Sequence, residues 1–230
     1  MTPFHEAEHR FKAGIEAKHH NDLPTALGHF QAALDLNPHY TEAYSEAGAI
    51  AYALGDFDGA VLQLRQAIHL DPHQGNSCLF LALTLGELKR HDEAEAQFQK
   101  AIVISDTPSV AKAVYASYLG AQKRPEAEQA FKDALELDPD CVMAWRDYAR
   151  LLASQDRDDE AESMFRKALE IQPDSPATHL QYGRFLSSFD PRLREAVSHL
   201  HRALELDPGL QEAQELLDVL AEEHGLAGGP

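Results

Sequence analysis

The segment Ala134-Leu-Glu-Leu-Asp-Pro139 recurs along the chain with small changes. Each copy closes a stretch in which apolar and charged residues are interleaved, and successive copies begin 33 to 35 residues apart. A period in this range is typical of a protein that stacks several copies of one supersecondary unit. The other copies are Ala33-Leu-Asp-Leu-Asn-Pro38, Ala67-Ile-His-Leu-Asp-Pro72, Ala101-Ile-Val-Ile-Ser-Asp106, Ala168-Leu-Glu-Ile-Gln-Pro173 and Ala203-Leu-Glu-Leu-Asp-Pro208.

Each copy follows two amphipathic stretches with helical periodicity. In the fifth copy, the first stretch has apolar residues at i, i+3, i+4 and i+7, which places them on one face of a helix. A polar turn at 155–159 precedes a second stripe of the same kind. The sequence therefore predicts an all-α chain of helical hairpins. The two stripes are Trp145, Tyr148, Ala149 and Leu152, and Ala161, Met164, Phe165 and Ala168.

Small residues recur at one equivalent place in each helix of the hairpin. Small side chains at a helix contact let the two helices approach closely, and phenylalanines further along fill the remaining volume. The first-helix set is Gly14, Gly48, Ala82, Ala116, Ala149 and Gly183. The second-helix set is Ala26, Ala60, Ala94, Ala127, Ala161 and Ala196, and the phenylalanines are Phe30, Phe98, Phe131 and Phe165.

This pattern resembles the tetratricopeptide repeat, which has large and small residues at fixed places in its first helix, alanines in its second, and a closing proline. Six repeats are assigned, at 7–40, 41–74, 75–108, 109–141, 142–175 and 176–210. Residues 1–6 form an N-terminal extension, and 211–230 form a capping helix with a short tail. The resemblance implies a right-handed α-solenoid, in which helical hairpins stack into a superhelix.

Two repeats depart from the common length. The fourth has Lys112 where an apolar residue is expected, and its turn between helices is one residue short, which leaves the register of its first helix open by one. The sixth is one residue long at its turn, Ser187-Ser-Phe-Asp-Pro-Arg192.

The charge of the chain limits its partners. Lys and Arg total 20 against 38 Asp and Glu, for a net charge of −18 with histidine neutral. Phosphate backbones and anionic lipids both require a basic face, so nucleic acid and an anionic membrane surface are disfavoured as partners. Most of the acidic residues are assigned to solvated outer faces. No apolar run reaches the length of a membrane span, and the start does not have the pattern of a signal peptide. A cytoplasmic location is expected.

One motif associated with catalysis is present. His5-Glu-Ala-Glu-His9 matches HExxH, in which two histidines bind zinc and the glutamate acts as a base. The segment leads into the first helix of an array, without an evident third ligand, so we interpret it as the solvated start of a helix. Cys78 and Cys141 are 63 residues apart and form no CxxC pair. We expect no enzymatic activity, no metal and no cofactor.

The family resemblance implies a groove lined by the first helices. Mapping its positions onto this chain gives an apolar centre, Leu79, Phe80, Leu83 and Val114, followed by three arginines, Arg146, Arg150 and Arg184. Exposed apolar side chains would contact a partner, and arginines bind carboxylates in bidentate fashion. Two alternatives stay open. In the first, Leu79 or Leu83 packs into the core and does not face the groove. In the second, the arginines pair with Asp147 and with glutamates of neighbouring helices.

The expected function is that of a non-catalytic scaffold or adaptor, which binds a peptide or helix of another protein, with acidic residues, in this groove. One alternative is self-association into a homo-oligomer. Another is that the array selects substrates for a larger enzyme, such as a glycosyltransferase. The cap-like last helix and the Gly-Gly-Pro ending favour a natural chain end over that second alternative.

Overall fold

The structure is a computed structural model that describes residues 3–224, with side chains to residue 223. Within these residues every element of regular secondary structure is a helix, so the predicted all-α fold of the helical-repeat solenoid class is confirmed. The helices are α1 (Pro3–His19), α2 (Leu23–Leu36), α3 (Thr41–Ala53), α4 (Phe57–Leu70), α5 (Gly75–Glu87), α6 (His91–Ile104), α7 (Pro108–Ala121), α8 (Glu126–Leu137), α9 (Val142–Ala153), α10 (Asp158–Ile171), α11 (Pro176–Leu186), α12 (Leu193–Leu206) and α13 (Gln211–His224), with a 3-10 helix at Asp190–Arg192.

The chain divides into two compact units, Met1–Lys112 and Ala113–Pro230. We call them the N-terminal unit and the C-terminal unit. In the N-terminal unit, helices α1 to α6 each pack against the next, and α3 also packs against α5. In the C-terminal unit, α8 to α13 follow the same order, and α9 also packs against α11. The first helices of the second and third repeats, and those of the fifth and sixth, are therefore neighbours.

The two helices of a hairpin approach closely at the predicted small residues. A Cβ atom added to Gly14 would lie 2.6 Å from Cε1 of Phe30, and one added to Gly48 would lie 2.5 Å from Cγ of Leu64. Phe30 and Leu64 are fully buried. The bulky residue of the second helix thus occupies the space that a larger residue on the first helix would need.

The first five repeats turn between their helices in the same way. One residue takes a left-handed backbone conformation, and the next residue donates its N–H to the carbonyl five positions earlier, which satisfies a free carbonyl at the helix end. In the first repeat, Asn21 has a φ of 57° and Asp22 N–H donates to Ala17 O at 2.9 Å. The equivalent left-handed residues are Gly55, Lys89, Lys123 and Asp156.

The missing residue of the fourth repeat falls after this turn, at the start of α8. Lys123 keeps the usual turn, but it precedes Ala127 by four positions, whereas Asp156 precedes Ala161 by five. Ala127 N–H accordingly donates to the carbonyl three positions back, on Arg124, at 3.2 Å. The deletion therefore tightens the first turn of α8 and leaves the register of α7 as assigned.

The ends of the chain differ in part from the expected division. Helix α1 begins at Pro3, so residues 3–6 of the assigned extension are helical and continuous with the first repeat. At the other end, α13 buries Ala213, Leu217 and Leu220 in a cluster with Leu180 and Leu200 of the sixth repeat. The last helix thus covers the apolar face of the final hairpin. The tail at 225–230 lies outside the described residues.

Two glycines of the first hairpin provide a test of the helix contact. We expect Gly14→Ala to lower the free energy of unfolding by about 1–3 kcal/mol, because the new methyl group would overlap the ring of Phe30. Gly28 on α2 has no atom within 4 Å of its added Cβ. Gly28→Ala should therefore raise stability by about 0.5–1 kcal/mol through helix propensity alone. Urea unfolding monitored by circular dichroism measures both changes, and a Gly14→Ala protein as stable as wild type would contradict the assigned contact.

Candidate interaction surface

Two glutamates on second helices join successive repeats of the C-terminal unit. Glu128 of α8 accepts hydrogen bonds from the Tyr148 hydroxyl at 3.0 Å and from Arg157 Nη1 at 2.6 Å. Glu162 of α10 accepts from the Tyr182 hydroxyl at 3.0 Å and from Arg192 at 2.8 Å. Each glutamate thus holds a tyrosine of the next first helix and an arginine of the turn that follows it. We call this arrangement the glutamate latch.

The glutamate latch shifts the ionisation of its members. Hydrogen bonds from Arg157, and then from Lys132, lower the pKa of Glu128 to about 2. The hydrogen bond from Arg192 likewise lowers the pKa of Glu162. Burial, reinforced by the glutamate, raises the pKa of Tyr148. These two glutamates are therefore exceptions to the assignment of most acidic residues to solvated outer faces. The shared signal in the sequence is a tyrosine placed 20 residues after each glutamate.

The three predicted arginines lie on α9 and α11, the helices that the latch fixes. Arg146 is only 18% exposed and donates to Asp147 through Nε at 2.9 Å and Nη2 at 3.1 Å. Arg150 is 54% exposed, with Nη1 3.5 Å from Asp147 Oδ1. Arg184 is 47% exposed and pairs with Glu212 of α13. The alternative of intramolecular pairing therefore holds for all three arginines, and Arg146 is withdrawn from the surface.

Arg150 and Arg184 line one cleft of about 480 Å³ in the C-terminal unit. We define the arginine cleft by Arg150, Gln181, Arg184, Phe185 and Phe189. Guanidinium and amide donors lie there beside aromatic rings, an arrangement suited to a ligand with both a carboxylate and an apolar side chain. Sequence reasoning identified the two arginines but missed the two phenylalanines. The remaining lining residues are Ala153, Asp156, Asp158, Phe165 and Ser188.

A second, smaller cleft meets the first at Arg150. Its volume is about 250 Å³, and it is lined by Ser117, Gly120, Asp147, Arg150 and others. The Ser117 Oγ atom is buried there without a hydrogen-bond partner. Arg150 thus lies between two clefts on the first helices of the C-terminal unit.

The side chains of the predicted apolar centre are only partly exposed to solvent. Leu79 is 8% exposed, so its assignment to the groove is wrong and the alternative of inward packing is correct for it. Phe80 and Leu83 are half-buried on α5, and the Phe80 ring lies edge-on to Tyr52 with centroids 6.2 Å apart. We call Tyr52, Phe80 and Leu83 the Phe80 patch. Val114 on α7 is also half-buried.

The structure places the other candidate residues as follows. His5 and His9 are exposed on α1, and among residues 3–224 no group of three or more His, Cys, Asp or Glu is arranged to hold a metal ion. Both cysteines are free and buried, and burial raises the pKa of the Cys78 thiol, which disfavours the reactive thiolate. Over the same residues, no helix combines the length and apolar character needed to cross a bilayer.

Comparison with known proteins identifies the class of this fold. The model of the tetratricopeptide repeat family matches residues 11–75, 50–111 and 117–176. The chain therefore belongs to the tetratricopeptide repeat family, whose members are generally non-catalytic scaffolds for protein interactions.

Individual relatives agree with this family. Over 95 residues, the chain is 35% identical to tetratricopeptide repeat protein 36 of Danio rerio, and the match spans 40% of this chain and 51% of that protein. A tetratricopeptide repeat protein from Parabacteroides merdae aligns with a TM-score of 0.72 and 15% identity over 93% of this chain and 83% of the other. PilW, a type IV pilus biogenesis factor, aligns with a TM-score of 0.65 and 21% identity over 92% and 98%.

The glutamate latch predicts a specific loss of stability in acid. A carboxylate whose folded pKa is depressed stabilises the fold above its unfolded pKa of about 4.3, and this stabilisation is lost as the pH falls toward the folded value. We expect the wild type to lose about 1 kcal/mol through Glu128 between about pH 5 and pH 3, since the carboxylate is partly exposed. In Glu128→Gln this component of the loss should be absent.

Urea unfolding of both proteins at the two pH values measures the difference. The exposed Glu136 on the same helix provides a matched control, and Glu136→Gln should keep the acid sensitivity of the wild type. Equal acid sensitivity in Glu128→Gln and wild type would contradict a stabilising role for the latch.

Proposed function

We propose that this protein is a non-catalytic, cytoplasmic scaffold that binds a segment of another protein along its first helices. The observation that carries the proposal is the arginine cleft, where Arg150 and Arg184 stay about half-exposed in a protein of net charge −18. Family membership supports a role in protein interaction, and two free, buried cysteines are usual in a reducing compartment.

The pairing of the arginines indicates how a partner would bind. Arg150 and Arg184 each have a carboxylate from this chain, on Asp147 and Glu212 respectively. A partner carboxylate would take the place of the carboxylate that this chain supplies, so each arginine would be paired both before and after binding. Exposed ion pairs of this kind contribute little to stability, which keeps the exchange inexpensive in free energy. We infer that the partner segment is acidic.

Apolar contact would supply most of the affinity. Phe185 and Phe189 line the arginine cleft beside Arg150 and Arg184. Buried aromatic anchors dominate the energetics of interfaces, whereas exposed charges mainly set orientation and association rate. The proposed partner segment therefore carries at least one large apolar side chain near its acidic residues.

The contribution of the charge is tested by Arg150→Glu. Proteins captured from native lysate by the immobilised wild type are identified by mass spectrometry, and a synthetic segment of the principal partner is then titrated against each variant. We expect Arg150→Glu to slow association several-fold at low salt, and the difference should shrink at high salt because ions screen the attraction. Arg194, exposed on α12, provides the charge-matched control Arg194→Glu.

The contribution of the aromatic anchor is tested by Phe189→Ala, which truncates a ring of the arginine cleft itself. Truncation of an anchor costs about 2 kcal/mol or more, so we expect the same segment to bind at least tenfold more weakly. Leu62→Ala, at an exposed apolar position on α4, is the control and should bind as wild type does. Circular dichroism confirms that each variant is folded.

These variants also discriminate between alternatives. Normal binding by both Arg150→Glu and Phe189→Ala, together with loss of binding in Arg194→Glu or Leu62→Ala, would place the partner on the second helices and overturn the proposal. Recovery of only this protein from the lysate would favour the homo-oligomer instead.

A further inference from the structure

Two histidines form a direct pair inside the last repeat. His179 of α11 is 8% exposed, and His199 of α12 is half-buried. Their Nδ1 atoms are 2.8 Å apart, while His179 Nε2 lies 2.8 Å from the backbone oxygen of Pro173. The ring of Tyr182 lies against His199, with centroids 4.6 Å apart. The pair thus links α11, α12 and the loop that enters α11.

These contacts fix where the protons are when both rings are neutral. A carbonyl oxygen only accepts hydrogen bonds, so His179 carries its proton on Nε2 and donates it to Pro173. The Nδ1 atom of neutral His179 is then a bare acceptor. Since a nitrogen pair at this distance needs one proton between its members, His199 carries its proton on Nδ1 and donates it to His179. Only this combination of tautomers satisfies both hydrogen bonds.

Added protons affect this arrangement in two stages. A first proton on His199 Nε2 preserves the hydrogen bond, although it places a positive charge on a half-buried ring. A second proton would have to go to His179 Nδ1, where it would face the N–H of His199 and a second positive charge. The doubly protonated pair is therefore incompatible with the packed geometry, and α11 and α12 would have to separate locally to accept it.

The charged surroundings do not remove this conflict. Glu195 of α12 favours a charged His199, but Arg192 opposes it and is itself bonded to Glu195 at 2.8 Å. From α10, Glu162 is already bonded to Arg192 and Tyr182. In the loop before α11, Asp174 pairs with Arg202. The carboxylates near the pair are thus occupied. In agreement, burial and the neighbouring His179 lower the pKa of His199.

We propose that the His179–His199 pair is a pH-sensitive junction, which holds the last hairpin together near neutral pH and loosens it in mild acid. Because α11 also carries Gln181 and Arg184 of the arginine cleft, loosening would disturb one wall of that cleft. The junction itself follows from the geometry of the pair and does not depend on the proposed function.

The direction of the pH effect follows from linkage. In the unfolded chain both histidines titrate near the ordinary value of about 6.5. The folded chain resists protonation, so below that value the unfolded state binds more protons and the folded state loses stability as the pH falls. This window lies above the one in which Glu128 titrates, so the two effects are separable.

The tautomers are tested first, in the intact wild-type protein. Long-range ¹⁵N–¹H correlation spectra near neutral pH should show the Nε2–H tautomer for His179 and the Nδ1–H tautomer for His199. Titration toward about pH 5 should show His199 accepting its proton below the ordinary pKa of about 6.5. The Nε2–H tautomer on both rings, or ordinary titration of His199, would overturn the proposal.

The stability effect is tested with His199→Asn. The asparagine amide offers a donor or an acceptor near the Nδ1 position and carries no titratable proton, so the variant keeps a partner for His179 in either state. Between about pH 7.5 and pH 5 the wild type should lose about 3 °C more in melting temperature than the variant. His69→Asn, at an exposed histidine of α4, should behave as wild type. Equal losses of melting temperature in wild type and His199→Asn would contradict the pH-sensitive role of the pair. If the variant does not fold, the tautomer measurement on the wild type tests the same proposal.

Discussion

The structure depends on the contact between a small residue in the first helix of each hairpin and a bulky residue in the second. At Gly14 and Gly48 there is no room for even one methyl group, because Phe30 and Leu64 fill that space. In other repeats an alanine occupies the same place, fully buried, as at Ala82 and Ala149. This contact sets the distance between the paired helices of a hairpin.

The turns between helices accommodate the differences in repeat length without disturbing this contact. The fourth repeat is one residue short, and the change is confined to the first turn of α8, where Pro125 needs no hydrogen-bond acceptor for its nitrogen. The sixth repeat is one residue long, and its extra residue is accommodated by a 3-10 helix at Asp190–Arg192. That helix still delivers Arg192 to Glu162, as the shorter turn delivers Arg157 to Glu128.

Polar contacts in the C-terminal unit fix the helices that carry the arginine cleft. The glutamate latch fixes α9 and α11 from one side, while Arg150 and Arg184 face the arginine cleft from the same two helices. The His179–His199 pair adds a third fixed point, at the base of α11. A cleft built on helices held in this way is preorganised, so less conformational entropy is lost when a partner binds.

The sequence by itself determined the repeat period, the helical hairpins, the places of the small and bulky residues, and the repeats with changed turn lengths. These features depend on local periodicity and on the residues that a close helix contact permits, both of which are visible in one dimension. Only the tertiary structure decided which side chains are exposed to a partner and which are buried or paired within the chain. Leu79 and Phe80 are adjacent in the sequence, yet a rotation of one position along α5 buries the first and leaves the second half-exposed. The pairing of Arg184 with Glu212 and of His179 with His199 joins residues 20 or more positions apart, and their distances depend on how separate helices are set against each other.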